Sequence, residues 1–155
     1  MIVMKFGGTS VGGAEQIRNA AEIIKSNVDK KPAVVVSAVK GITDKLIELG
    51  NAAAEGKGED ILEEIKEKHY GILRELKLDK SLVKKNLEDL SKLFNETRND
   101  GNVDAKILDS FQSFGERMSS KIVAAQLNNI GVKAQAFDAW DLGFITNSDF
   151  GSAEP

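Results

Sequence analysis

The sequence predicts an α/β fold with a mainly parallel sheet, and three observations predict it. A short apolar run at residues 2–6 stops at a glycine pair. A helical period follows over 14–28, with Ile17, Ala20, Ala21, Ile24 and Val28 on one side and Glu15, Arg18, Glu22 and Lys25 on the other. A second run, Ala33-Val34-Val35-Val36-Ser37-Ala38, then has no polar alternation, as in a strand inside a parallel sheet. Strand, helix, strand in 38 residues is a βαβ unit, for which a right-handed crossover is expected.

The remaining elements follow in order. Thr43 is a candidate N-cap for a helix over 44–54, and Glu55-Gly56-Lys57-Gly58 breaks it. Lys and Glu dominate residues 59–99, where two amphipathic periods meet near 78–81 with Asp79 or Ser81 as cap. This charged region, about 56–100, reads as a helical insertion beside the sheet. Asn99-Asp100-Gly101-Asn102 is a turn. Helical period resumes from about Asp104, with a kink or new start expected at Gly115-Glu116 and Gly131 as the C′ residue. Residues 132–137 read as a third strand, 144–146 as a short fourth strand, and 147–149 as a turn.

Composition narrows the function classes. The 155 residues suffice for one domain with a core. A net charge of −3 argues against sequence-independent nucleic-acid binding, which relies on Lys and Arg against phosphate. The Lys/Glu-rich helices interleave both signs and read as a solvated face. Without cysteine there is no thiolate ligand or nucleophile, and one histidine cannot build a His-rich metal site. His69 reads as a surface or interhelical histidine, and Trp140 as cover for a core edge. No apolar run reaches membrane-spanning length and no signal-peptide pattern opens the chain, so the expectation is a cytoplasmic protein.

Chemistry can sit in three stretches. In Lys5-Phe6-Gly7-Gly8-Thr9-Ser10-Val11-Gly12-Gly13, a strand stops at glycines before a helix. That brings orphan N–H groups and a helix N-terminus to one place, which suits an anion, and Lys5 adds a cation. The glycine spacing is neither a Walker A loop nor the dinucleotide fingerprint, so a plain strand-turn-helix connection stands beside the anion cradle. Ser37 and Thr43 offer hydroxyls after the second strand; they read equally as a small core residue and a cap. In Ser113-Phe114-Gly115-Glu116-Arg117, Glu116 either caps its own helix or accepts hydrogen bonds from an ammonium group, and Arg117 pairs with a nearby acid.

Taken together, Lys5-Phe6-Gly7-Gly8-Thr9-Ser10, Val36-Ser37-Ala38 through Gly41-Ile42-Thr43, Ser113-Phe114-Gly115-Glu116-Arg117-Met118-Ser119, and Thr146-Asn147 with Phe150-Gly151-Ser152-Ala153 resemble the aspartokinase family in order and spacing. The resemblance implies a three-layer αβα sandwich of the amino-acid kinase type. It implies ATP-dependent phosphorylation of the side-chain carboxylate of L-aspartate to 4-phospho-L-aspartate, the first step toward lysine, threonine and methionine. By that resemblance Lys5 binds the ATP phosphates and stabilises the transferring phosphoryl group. Gly7 and Gly8 form the backbone cradle with Thr9 and Ser10 beside it, and ATP brings Mg2+, with no metal ligand in the protein. Ser37 and Thr43 line the aspartate pocket, and Glu116 holds the α-ammonium.

Two departures qualify it. Asp44 stands where the family usually has Asn. The family's Gly-Arg-Gly-Gly-Ser-Asp segment and regulatory ACT domains have no counterpart here, so residues 1–155 are expected to be the N-terminal lobe of the catalytic domain. Expected partners are aspartate, ATP, and either a second copy or a C-terminal half. The competing expectations are a non-catalytic substrate- or partner-binding lobe of a split enzyme, or another amino-acid kinase of the same fold.

Overall fold

Strands β1 (Ile2–Phe6) and β2 (Pro32–Val36) pair in parallel in a computed structural model that describes residues 1–152 and 154. Lys5 stands opposite Val35, and Phe6 opposite Val36. The two-residue period of a strand sends Met4, Phe6, Val34 and Val36 to the hydrophobic core. It sends Val3, Lys5, Ala33 and Val35 outward, where Val3 is 69% and Val35 50% exposed. Among the described residues, helices therefore cover one face of the sheet and leave the other open.

Five helices carry the rest: α1 (Ala14–Lys25), α2 (Ile42–Ala54), α3 (Glu59–Leu76), α4 (Ser81–Asp100) and α5 (Ala105–Asn129). Ala14, Ile17, Ala20, Ala21 and Ile24 bury the apolar stripe of α1. The charged region forms α3 and α4, which pack beside α2 and α5 rather than in the sheet, as expected of an insertion. One apolar core runs from Phe6 through Leu46, Leu90 and Phe94 to Phe111 and Met118. The ion pairs Lys45–Glu64 and Arg98–Glu59 link α3 to α2 and α4 at the surface, where such pairs add little stability.

Helix ends follow their local chemistry. Asp104 caps α5, its carboxylate accepting the Ile107 N–H at 2.8 Å. Asp104→Ala is expected to lower stability by about 1 kcal/mol, measured by denaturant unfolding. At the other end Val132 N–H reaches Leu127 O and Gly131 N–H reaches Asn128 O, a Schellman motif with Gly131 at φ +86°. Helix α2 starts earlier than expected: Gly41, at φ +80°, takes the N-cap position and Thr43 lies inside the first turn. Gly115 does not interrupt α5, which is continuous past it.

The third and fourth strands are absent among the described residues. A strand needs a ladder partner, and residues 132–137 have their backbone otherwise engaged. Ala134 N–H donates to Asn128 Oδ1 (3.2 Å), and Asn128 Nδ2 donates to Ala134 O (2.8 Å). This segment lines, with β2 and the end of α5, a cavity of about 580 Å³. Residues 144–146 are exposed and unpaired with any strand. The chain beyond folds back on α5, where Gly151 N–H donates to Asp109 Oδ2 at 2.8 Å. Ala153, in the last motif, lies outside the described residues. No helix is long and apolar enough to cross a membrane among them.

His69 is fully buried, so the interhelical reading holds and the surface one does not. Nδ1 lies 2.8 Å from Ile65 O, which makes it the protonated nitrogen, and Nε2 has no partner. Burial holds the imidazole below its usual pKa, the bond to Ile65 opposes this, and Lys68 adds to it. The unfolded chain therefore binds the extra proton first. Stability is full above the ordinary value of 6.5 and falls as pH drops through it, by at most about 1.4 kcal/mol per pH unit. Thermal unfolding from about pH 7.5 to about pH 5.5 should show this loss, and His69→Leu should flatten it.

Candidate active site

At the carboxyl end of β1 the chain enters a single 3-10 turn, Gly8–Val11, before α1. The N–H groups of Gly8 and Thr9 open this turn, where helical geometry supplies no acceptor. The glycines have different duties. Nothing lies within 4 Å of where a Gly7 Cβ would sit, whereas a Cβ on Gly8 would lie 3.1 Å from Ala38 O and 3.6 Å from Lys40 Cα. A Cβ on Gly12 would meet Lys40 Cβ at 3.3 Å. Gly8 and Gly12 thus let the first loop lie directly on the loop after β2, while Gly7 leaves open space above its backbone. Thr9 and Ser10 are exposed beside it.

The second loop is held by backbone and by α5. Ser37 N–H donates to Phe6 O at 2.9 Å, one step beyond the ladder. Ala38 N–H donates to Glu116 Oε1 at 3.3 Å. Ser119 is fully buried, and its hydroxyl donates to Ser37 O at 2.7 Å. A Cβ on Gly115 would stand 2.6 Å from Ala38 Cβ, closer than two carbons can approach. The glycine expected to break the helix instead lets α5 touch this loop. Glu116 consequently sits in mid-helix, away from the N-terminal dipole; its neighbour is the Ala38 amide.

The structure brings Gly8, Ser37 and Glu116 into one corner, with Thr43 next to it in the first turn of α2. Lys5 stands apart in one respect. It is exposed on the open face of the sheet, at the carboxyl end of β1, and forms no ion pair among the described residues. Arg117 turns away from Glu116. It lies 4.7 Å from the Phe114 ring and 5.2 Å from the Trp140 ring, with Nε 3.5 Å from Asp138 Oδ2. Trp140, 55% exposed, therefore stacks on a cation instead of covering the core.

Two contributors escaped sequence reading. Ser119 is one, since a buried serine in a helix gives no periodic signal. Lys40 is the other, standing between Ser37 and Thr43 beside the glycine turn. It also lines a cleft of about 400 Å³ with Lys45, Glu64, Glu67 and Lys68. Another cavity, about 600 Å³, lies between α3 and α4 and is lined by Tyr70 and Asn95. Among the described residues no cluster of three or more His, Cys, Asp or Glu side chains could hold a metal ion.

This corner, two loops meeting at the ends of parallel strands under a long helix, has a family. The chain belongs to the amino acid kinase family, whose model matches residues 1–154. Within it, the chain is similar to aspartokinases. It is 39% identical over 157 residues to aspartokinase 3, chloroplastic, of Arabidopsis thaliana, covering 98% of this chain and 28% of that protein. It superposes on the crystal structure of E. coli aspartokinase III in complex with aspartate and ADP (R-state) with a TM-score of 0.88 and 30% identity, covering 100% of this chain and 34% of that one. The lysine and aspartate complex of the same enzyme (T-state) gives a TM-score of 0.85 at 29% identity, covering 100% of this chain and 35% of that one. The chain spans about a third of the length of these relatives.

Proposed function

We propose that this chain is the N-terminal lobe of a kinase that transfers the γ-phosphoryl group of ATP to the side-chain carboxylate of L-aspartate, giving 4-phospho-L-aspartate. The observation that carries the reading is the meeting of Glu116 with the Ser37–Ala38 backbone beside the glycine turn. Similarity to aspartokinases along nearly the whole chain supports it, as does the solved aspartate and ADP complex of E. coli aspartokinase III.

In this reading the open space over Gly7 and the N–H groups of Gly8 and Thr9 take the nucleotide phosphates, a place where a Cβ would intrude. Thr9 and Ser10 add hydroxyl donors. Lys5 neutralises charge on the transferring group. Glu116 commits one carboxylate oxygen to Ala38 N–H and offers the other to the substrate's α-ammonium, while Ser37 and Thr43 line the pocket. A substrate carboxylate oxygen attacks the γ-phosphorus, the bond to the β,γ-bridging oxygen breaks, and ADP leaves. The protein supplies positioning and charge, not a nucleophile. Further charge neutralisation would come from Mg2+ held by the ATP phosphates. The proposed setting is the cytoplasm, and the product feeds lysine, threonine and methionine synthesis.

A second reading has its own support. The open sheet face, with Val3 and Val35 exposed, suits a further polypeptide or a second copy, so the chain alone would be a substrate- or partner-binding lobe. Aspartate-dependent ADP formation in a coupled assay separates the two. Activity only with a second polypeptide supports a lobe of the kinase. Activity of the chain alone overturns the reading of it as a lobe that needs a companion, and no activity with any companion favours the binding lobe. Glu116→Gln in the active form should raise KM for aspartate about tenfold or more with little change in KM for ATP. Equal changes in both would remove the ammonium role.

A further inference from the structure

One helix holds a single peptide unit of the second loop at both of its ends. The Ser37 C=O accepts from Ser119 Oγ at 2.7 Å, and the Ala38 N–H of the same unit donates to Glu116 Oε1 at 3.3 Å. Glu116 and Ser119 are three residues apart on α5 and share a face. A peptide unit is planar, so a rotation that breaks one of these bonds breaks the other.

We infer that Ser119 is a positioning residue for the substrate corner: it sets the tilt of the 37–38 peptide plane, and through it the aim of the Glu116 carboxylate and the Ser37 hydroxyl. The inference rests on the reading of Ser37 and Glu116 as the aspartate side of the site. Ser119 is fully buried, so it acts through these groups and not on a substrate. Its hydroxyl has another acceptor, Glu116 O at 3.1 Å in its own helix, but the shorter bond goes to the loop. Ser37 N–H is already tied to Phe6 O, so the 37–38 plane is the next unit free to turn. Gly115 permits the close approach of Ala38 Cβ without orienting the peptide. Donation to the C=O also polarises the unit and strengthens its N–H as a donor to Glu116.

The test uses Ser119→Ala and Ser119→Cys, which remove the strong donor at nearly constant volume, and Ser119→Thr, which keeps it. In the unliganded chain, the Ala38 amide should exchange its hydrogen roughly tenfold faster in the Ala and Cys variants, with Ile122 and Val123 amides unchanged. Titration with L-aspartate should show a Kd raised roughly three- to tenfold, with the response to inorganic triphosphate unchanged. Thr should restore both. Unchanged Ala38 exchange overturns the inference alone. Parallel loss of the aspartate and triphosphate responses also overturns it, since that reports general loosening. A parent chain silent to aspartate sinks the substrate reading, and the inference with it.

Discussion

Lys5→Ala is expected to lower kcat for aspartate-dependent ADP formation by about 10²-fold or more in the proposed kinase, roughly 3 kcal/mol of lost transition-state stabilisation. The reason is where the charge stands. Lys5 is the penultimate residue of β1, three residues before the turn that starts at Gly8, and no acidic side chain pairs with it among the described residues. Its ammonium is therefore available for a group that gains negative charge at its outer oxygens. Loss of the cation should act on kcat more than on KM for aspartate, since Glu116 and Ser37 keep their own contacts. Lys5→Arg should recover only part of the rate, because a planar fork does not place its charge where a compact ammonium does. Steady-state kinetics of the three forms decides it, and near-parental kcat for Lys5→Ala would remove Lys5 from phosphoryl transfer.

Gly115→Ala should destabilise the fold by about 2 kcal/mol or more and lower Tm by roughly 5–10 °C. Helix propensity alone predicts the opposite, since Ala in place of a mid-helix Gly gains about 1 kcal/mol. Packing wins because the new methyl would lie 2.6 Å from Ala38 Cβ, and that carbon sits on the backbone of a tethered loop, not at the end of a flexible side chain. Relief requires α5 to retreat, which stretches both the Glu116 and the Ser119 bonds to the 37–38 peptide. Aspartate affinity should fall along with stability. Gly71→Ala in α3 is the matched control. Nothing lies within 4 Å of its Cβ position, so propensity acts unopposed and the chain should gain about 0.5–1 kcal/mol. Calorimetry of the pair tests the sign of each effect.

Periodic features of the chain were legible from its residues. The period of 3.6 in α1, α3, α4 and α5 and the apolar runs of β1 and β2 follow from burial on one side, which sequence spacing reports directly. Gly131 was readable because a C-terminal cap obeys local geometry, and the helical period placed the start of α5 near Asp104. What escaped depends on contacts between distant residues. Residues 132–137 have strand composition, but whether they join a sheet depends on a partner, and Asn128 takes the Ala134 backbone instead. Gly115 read as a kink or a new start, and only its contact with Ala38, far away in sequence, makes it a site of close approach inside a continuous helix. Gly41 displaced Thr43 from the cap because a left-handed residue already turns the chain there. The candidate site divided in the same way. Gly8 and Glu116 could be named from their motifs, but that Glu116 reaches an amide of the second loop, with Ser119 on the same peptide, required the fold.

In the proposed kinase the labour is divided: the glycine turn handles phosphate, and the Ser37–Glu116 corner handles the amino-acid substrate. A two-dimensional amide NMR titration of this chain tests it most directly, with MgATP and L-aspartate added separately up to millimolar concentrations. MgATP should shift the amides of residues 7–13, and L-aspartate those of residues 37–43 and 115–119. Aspartate acting on the glycine turn while leaving Ala38 and Glu116 unmoved, or neither ligand moving either loop, would contradict it.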